Sequence, residues 1–131
     1  MFEVSVEETF AAGHALRHYK GKCENVHGHN YRIRVTLEGD HVDKVSGLLV
    51  DFADIKRILR KIVAYLDHQF INDLPPFDKL NPSAENIAWF FCTEMQKGLA
   101  EAPANATAQA SVRVRSVRVW ETDTCEATYR P

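Results

Sequence analysis

The sequence predicts an α+β protein: an antiparallel four-stranded sheet with two helices on one face, in the order strand, strand, helix, helix, strand, strand. Three observations predict it. Residues 2–14 and 27–38 alternate apolar and polar side chains with the period of two that marks a half-buried strand. Residues 52–66 instead space their apolar side chains at helical intervals, and a second helix-like stretch begins at Pro82-Ser83. From residue 111 the chain returns to valine-rich alternation. Two early strands and two late ones around a pair of helices are satisfied by one sheet covered on one face.

In the first strand Phe2, Val4, Val6, Phe10 and Ala12 share one parity, and His14 continues it. In the second, Tyr31, Ile33, Val35 and Leu37 form the apolar set, and His27 and His29 have the same parity. Gly39-Asp40 ends this strand, and a loop follows to about Gly47. Asp51 is placed to cap the first helix, whose apolar stripe is Phe52, Ile55, Ile58, Leu59, Ile62, Val63 and Leu66. Lys56, Arg57, Arg60 and Lys61 lie off the stripe as a solvated face. After a Pro-containing connection over residues 72–82, Ser83 caps the second helix, with Ile87, Phe90, Phe91 and Leu99 as core contacts. Gly98 and the Ala/Pro stretch from Ala100 to Ala110 are expected to end that helix. In the third strand, residues 111–121, Val112 and Val114 have one parity and Val117 and Val119 the other. A β-bulge is therefore expected at Arg115-Ser116. Glu121 to Thr124 turn the chain into a last strand, Cys125 to Arg130.

Chemistry concentrates in Cys23-Glu24-Asn25-Val26-His27-Gly28-His29 together with His14. If the first two strands form a hairpin, the end of one lies beside the start of the other, and His14 meets His27 and His29 on a single face. Three imidazoles at one point form a zinc site whose fourth position is open, the arrangement catalytic zinc requires. Cys23 then stands beside the metal as a base or nucleophile. A closed structural site with Cys23 as fourth ligand is the rival reading, since Cys and His together also make structural zinc sites.

Composition narrows the setting. The chain of 131 residues, read as one domain over 1–131, has 16 Lys plus Arg against 18 Asp plus Glu, for a net charge of −2, and this balance gives no reason to expect nucleic acid as a partner. No apolar run approaches the length of a membrane span, and the N-terminus lacks the marks of a signal peptide. Three cysteines without disulfide-framework spacing fit a reducing, cytoplasmic compartment.

Five segments carry a family resemblance: Phe10-Ala11-Ala12-Gly13-His14, Cys23-x-x-x-His27-Gly28-His29-Asn30-Tyr31, Leu66-Asp67-His68, Asn81-Pro82-Ser83-Ala84-Glu85-Asn86 and Val119-Trp120-Glu121-Thr122. Together and in this order they resemble the 6-pyruvoyltetrahydropterin and 6-carboxytetrahydropterin synthase family of the tunnelling fold, over nearly the whole chain. The resemblance implies zinc on His14, His27 and His29. It implies Cys23 as the catalytic base, Asp67 and His68 as a coupled proton carrier, and Glu121 as the carboxylate that grips a pterin ring. It implies a contribution of Ser83 to the pterin pocket of a neighbouring subunit. It also implies homo-oligomers, trimers or hexamers, whose sheets join into a β-barrel. The three-residue gap between Cys23 and His27 is similar to the bacterial 6-carboxy branch of queuosine biosynthesis, which acts on 7,8-dihydroneopterin triphosphate. The shared machinery keeps the pyruvoyl reaction, and a non-catalytic zinc-stabilised pterin-binding module, as alternatives. Arg17, Lys20 and Lys22, in the loop before the metal motif, are candidates for the triphosphate.

Taken without the resemblance, several of these residues have plainer readings. Asp67-His68 reads as an ordinary helix C-terminus, Glu121 as a solvated turn residue, and Ser83 as a helix cap.

Overall fold

The computed structural model describes residues 1–21, 25–102 and 111–131. Strand β1 (Phe2–His14) leads to β2 (His27–Gly39), then helix α1 (Phe52–Leu66), helix α2 (Ala84–Glu101), β3 (Arg113–Thr122) and β4 (Cys125–Tyr129). The strands form one antiparallel sheet in the order β1-β2-β3-β4.

Alternation sorts the sheet into two faces. Tyr31, Ile33, Val35 and Leu37 of β2, and Val117 and Val119 of β3, are fully buried beneath the helices. The opposite face carries a polar ladder. Arg34 donates to Glu7 at 2.9 Å and Arg113 to Glu38 at 2.8 Å, while the Arg32 guanidinium lies 4.0 Å from the centre of the Trp120 ring. The expected bulge is present, since Thr36 pairs with Ser116 but Leu37 with Val114, leaving Arg115 as the extra residue. The extra residue restores valines on both sides of it to the core face.

Asp51 caps α1 by accepting from the Ala53 amide at 2.9 Å, and Ile55, Leu59, Ile62 and Leu66 form its buried stripe. Phe52 departs from the expectation: it is 52% exposed, because the first residue after the cap lies on the solvent side of the stripe. Phe2 is similarly exposed at the open end of β1. Ser83 caps α2 through the Asn86 amide at 3.2 Å. Gly98 does not end α2, which continues to Glu101. It is small because α1 crosses there: a Cβ at residue 98 would stand 2.4 Å from Ile58 Cγ2. Of the Ala/Pro stretch, residues 103–110 lie outside the described residues.

The connection between the helices is more ordered than its composition suggests. It contains a short 3-10 turn (Ile71–Asp73) and buries Phe77 completely against Phe90, with ring centres 5.1 Å apart. Just before it, residues 68–70 run along the outer edge of β1. The His68 amide donates to the Ala11 carbonyl at 2.6 Å and the Gly13 amide to the Gln69 carbonyl at 3.0 Å. Part of the free edge is thereby satisfied beside the end of β1 that carries His14.

Candidate metal centre and active site

The β1–β2 register aligns His14 with His27 and Ala12 with His29, so the three imidazoles meet on the helix-covered face. Their ligand atoms lie within 4.8 Å of one another. His14 is buried, and its Nδ1 is 2.7 Å from the Pro82 carbonyl oxygen, at the start of α2. His27 Nδ1 is 2.7 Å from the Asn25 carbonyl oxygen. A carbonyl only accepts, so in both rings Nδ1 carries the proton and donates, and Nε2 of the neutral ring is a lone pair.

These two Nε2 atoms face each other at 2.9 Å. Two lone pairs at that separation repel unless an electron-pair acceptor or an extra proton lies between them. His29 Nε2 is buried and has no hydrogen-bond partner among the described residues. Three convergent imidazole nitrogens with one of them orphaned are a donor set that a divalent metal fits, with soft-to-borderline nitrogen ligands and room for a further ligand.

Burial lowers the pKa of His14. The Pro82 bond and the Glu121 carboxylate oppose this, and His27 adds to it. His29 is lowered by burial first, against the pull of Glu121. Both shifts favour the neutral, ligating form at neutral pH.

Glu121 reaches the same point from β3. Trp120 pairs with Glu126 and Thr122 with Cys125, so Glu121 is an extra residue in the strand, and it follows Val119 onto the core face. Its carboxylate oxygens stand 3.9 Å from His14 Nε2 and 3.8 Å from His29 Nε2. The turn reading of this residue therefore does not describe its position. A carboxylate beside the open side of the triad can accept paired N–H donors from a flat heterocycle.

Asp67 and His68 sit at the end of α1. Asp67 is the C-cap, and His68 takes a left-handed backbone with φ of 58°. This kink lets sequence neighbours touch: His68 Nδ1 is 2.9 Å from Asp67 Oδ1. The same carboxylate accepts from the Ala11 amide at 3.1 Å. The Ala11 bond, followed by the His68 bond, holds the Asp67 carboxyl below the usual aspartate range. The pair is coupled in the way a carboxylate–imidazole relay requires, with the imidazole largely in solvent. Among the described residues no hydrogen bond or ion pair joins it to the triad. His29 and His68 do border one surface cavity of about 580 Å³, together with Gly13, Gly28 and Phe70. A larger groove of about 870 Å³ between α1 and α2, lined by Ile58, Tyr65, Trp89 and Phe90, contains none of these groups.

The remaining sequence candidates fall as follows. Cys23 and Lys22 lie outside the described residues. Ser83 Oγ is engaged as the α2 cap, and its neighbour Pro82 supplies the carbonyl that holds His14. Arg17 is not free for a phosphate: its guanidinium donates to the carbonyls of Phe77 at 2.8 Å, Asn72 at 3.2 Å and Leu80 at 3.4 Å. It fastens the 72–81 connection to the loop after β1, where Asn81 also brackets the Arg17 backbone. Two contributors were missed in the sequence. The Pro82 carbonyl has no side-chain signal. Tyr31, whose buried hydroxyl also lacks a partner among the described residues, has the pattern of a core aromatic.

A ββααββ chain that gathers three histidines and a carboxylate on the covered face of its sheet defines a class of α+β proteins whose sheet carries a donor set that could hold a metal ion. The 6-pyruvoyl tetrahydropterin synthase family model matches residues 3–131, and the chain belongs to that family. It is 30% identical to the 6-carboxy-5,6,7,8-tetrahydropterin synthase of Haemophilus influenzae over 146 aligned positions, covering 99% of each chain. It is 32% identical to the 6-pyruvoyl tetrahydrobiopterin synthase of Homo sapiens, over 84% of this chain and 71% of the relative. In structure it is similar to the 6-pyruvoyl tetrahydropterin synthase of Caenorhabditis elegans, with a TM-score of 0.79, 27% identity, and coverage of 100% of this chain and 97% of that one.

Proposed function

We propose that the chain, as one domain, is a zinc-dependent 6-carboxy-5,6,7,8-tetrahydropterin synthase. It would convert 7,8-dihydroneopterin triphosphate to 6-carboxy-5,6,7,8-tetrahydropterin, releasing acetaldehyde and triphosphate, in cytoplasmic queuosine and 7-deazapurine synthesis. The observation that carries this reading is the meeting of His14 and His27 Nε2 at 2.9 Å with the Glu121 carboxylate alongside. It unites a metal-type donor set with a ring-anchoring acid. Family membership and the Haemophilus influenzae relative support the lyase chemistry.

His14, His27 and His29 would hold the zinc, which when bound supplies Lewis acidity toward the hydroxyls of the substrate side chain. Glu121 accepts adjacent N–H donors of the pterin and orients the ring. Cys23 is the base that would remove a proton from the side-chain carbon. His68 carries the second proton on Nε2, while Asp67 fixes its tautomer through Nδ1. Ser83 contributes to the pocket through the start of α2. The exposed His68 ring, together with the outer sides of β4 and of β1 before Ala11, which pair with no strand among the described residues, supports a trimer or hexamer in which neighbouring chains complete each site.

The test is the product mass spectrum after incubating zinc-loaded protein with 7,8-dihydroneopterin triphosphate. 6-Carboxytetrahydropterin with acetaldehyde is expected. 6-Pyruvoyltetrahydropterin with triphosphate and no acetaldehyde would select the second reading, which the similarity to the human relative favours. Unchanged substrate would leave a non-catalytic pterin-binding module.

A further inference from the structure

Tyr31 is fully buried where the core meets the histidine triad. One face of the ring stacks on Phe10, with centres 4.9 Å apart, and Phe10 stacks in turn on Phe91 at 5.9 Å. The ring meets His14 and His29 nearly perpendicularly, at 86° and 78°, with centres 5.8 and 5.4 Å away. A phenylalanine would fill this slot equally well. The hydroxyl is therefore the informative atom, and it is buried with no hydrogen-bond partner among the described residues. A buried donor left unpaired is unfavourable and uncommon, and it calls for an acceptor.

The sheet register indicates which acceptor. Arg32 pairs with Trp120, and Tyr31 and Glu121 are the next residues along the two strands; the Tyr31 ring and the Glu121 carboxylate both neighbour His14 and His29. Glu121 itself is held by no hydrogen bond among the described residues; its carboxylate oxygens lie 3.9 Å from His14 Nε2 and 3.8 Å from His29 Nε2. A carboxylate offers about four lone-pair sites, and paired ring N–H donors occupy two of them.

We propose that Tyr31 is a positioning residue whose hydroxyl donates to the Glu121 carboxylate when that carboxylate engages a pterin ring, fixing the plane in which Glu121 accepts the ring. This rests on the reading of Glu121 as the ring anchor. Because Tyr31 acts through Glu121, it affects ring binding and orientation rather than the proton transfers.

Equilibrium binding of neopterin to metal-free and zinc-loaded protein, followed by pterin fluorescence, tests the proposal. The proteins are the wild type, Tyr31→Phe, Glu121→Gln and the double variant, with KM and kcat measured alongside. Tyr31→Phe keeps the ring stack and should not lower the melting temperature, because it removes only an unpaired hydroxyl. Its neopterin Kd and its KM are expected to rise about tenfold, the scale of one hydrogen bond to a charged group, with kcat little changed. In the Glu121→Gln background the same change should have a much smaller effect. An unchanged Kd in Tyr31→Phe, with Glu121→Gln still impaired, would overturn the role of Tyr31 and leave the ring anchor standing. Equal losses in both backgrounds would overturn action through Glu121. Neopterin binding that ignores Glu121→Gln would remove the anchor and the inference together.

Discussion

At the residue scale, the centre is decided by which nitrogen of each histidine is already engaged. Pro82 and Asn25 carbonyls take the Nδ1 protons of His14 and His27, which aims both Nε2 lone pairs inward. Among the described residues His29 has no such anchor, and it contributes an orphaned Nε2. Replacing His29 by Ala should therefore weaken zinc binding by at least about a hundredfold, more than loss of a supporting contact does, with the fold retained. A competition titration against a chromophoric chelator reads this directly. Asp67 makes a second case. Its oxygen accepts from both Ala11 and His68, so Asp67→Asn would offer His68 an amide in place of a charge and loosen its tautomer. Turnover is expected to fall by about 10²- to 10⁴-fold, the usual range for a positioned proton carrier, while neopterin binding is kept. Equal losses in turnover and binding would instead place the pair in substrate recognition.

At the scale of elements, the strands were legible because one face of the sheet is covered and the other is not. Val35 or Leu37 could not change parity without losing its burial under the helices. The first helix was legible for the same reason, through Ile55, Leu59, Ile62 and Leu66. Gly98 was not legible, because a glycine near a helix end reads as a terminator, whereas here it marks the crossing of α1 over α2. Gly98→Ala should accordingly destabilise the protein by about 1–3 kcal/mol despite alanine's better helix propensity, as overpacking does. Pairing it with Ile58→Ala should cost less than the sum of the two changes. Urea denaturation of the two single variants and the double variant measures that coupling.

At the scale of the whole molecule, burial of the triad links stability to pH. The folded pKa values of His14 and His29 lie below the ordinary 6.5. As the pH falls through about 6.5 the unfolded chain takes up protons first. The stability of the metal-free protein is then fully present above that pH and declines as the pH falls through the lowered folded values. Asp67, lowered from 3.8, adds a further loss in the same direction at more acidic pH. Zinc competes with the same protons, so the rise in melting temperature that it produces should shrink on acidification. Melting curves from pH 8 to pH 5, with and without zinc, check both signs. The outer side of β4 and the part of β1 before Ala11 meet no other strand among the described residues, which leads to a prediction about mass. Light scattering should give three or six times the 14.9 kDa chain, and a persistent monomer would contradict sites completed by neighbouring chains.

The sequence by itself determined the two-faced sheet, the caps Asp51 and Ser83, the bulge at Arg115 and the convergence of His14, His27 and His29. All of these follow from local periodicity, or from the register of one hairpin. Only the tertiary structure decided how those residues are held and what they face. The Pro82 carbonyl reaches His14 across 68 residues of chain, and Arg17 is drawn into the 72–80 connection rather than left for a phosphate. Glu121 turns to the triad from β3, and the Tyr31 hydroxyl is buried without a partner among the described residues. The physical reason is range: side-chain parity repeats every two residues and is written in each strand, whereas a carbonyl acceptor or an opposing charge exists only once distant segments have packed together.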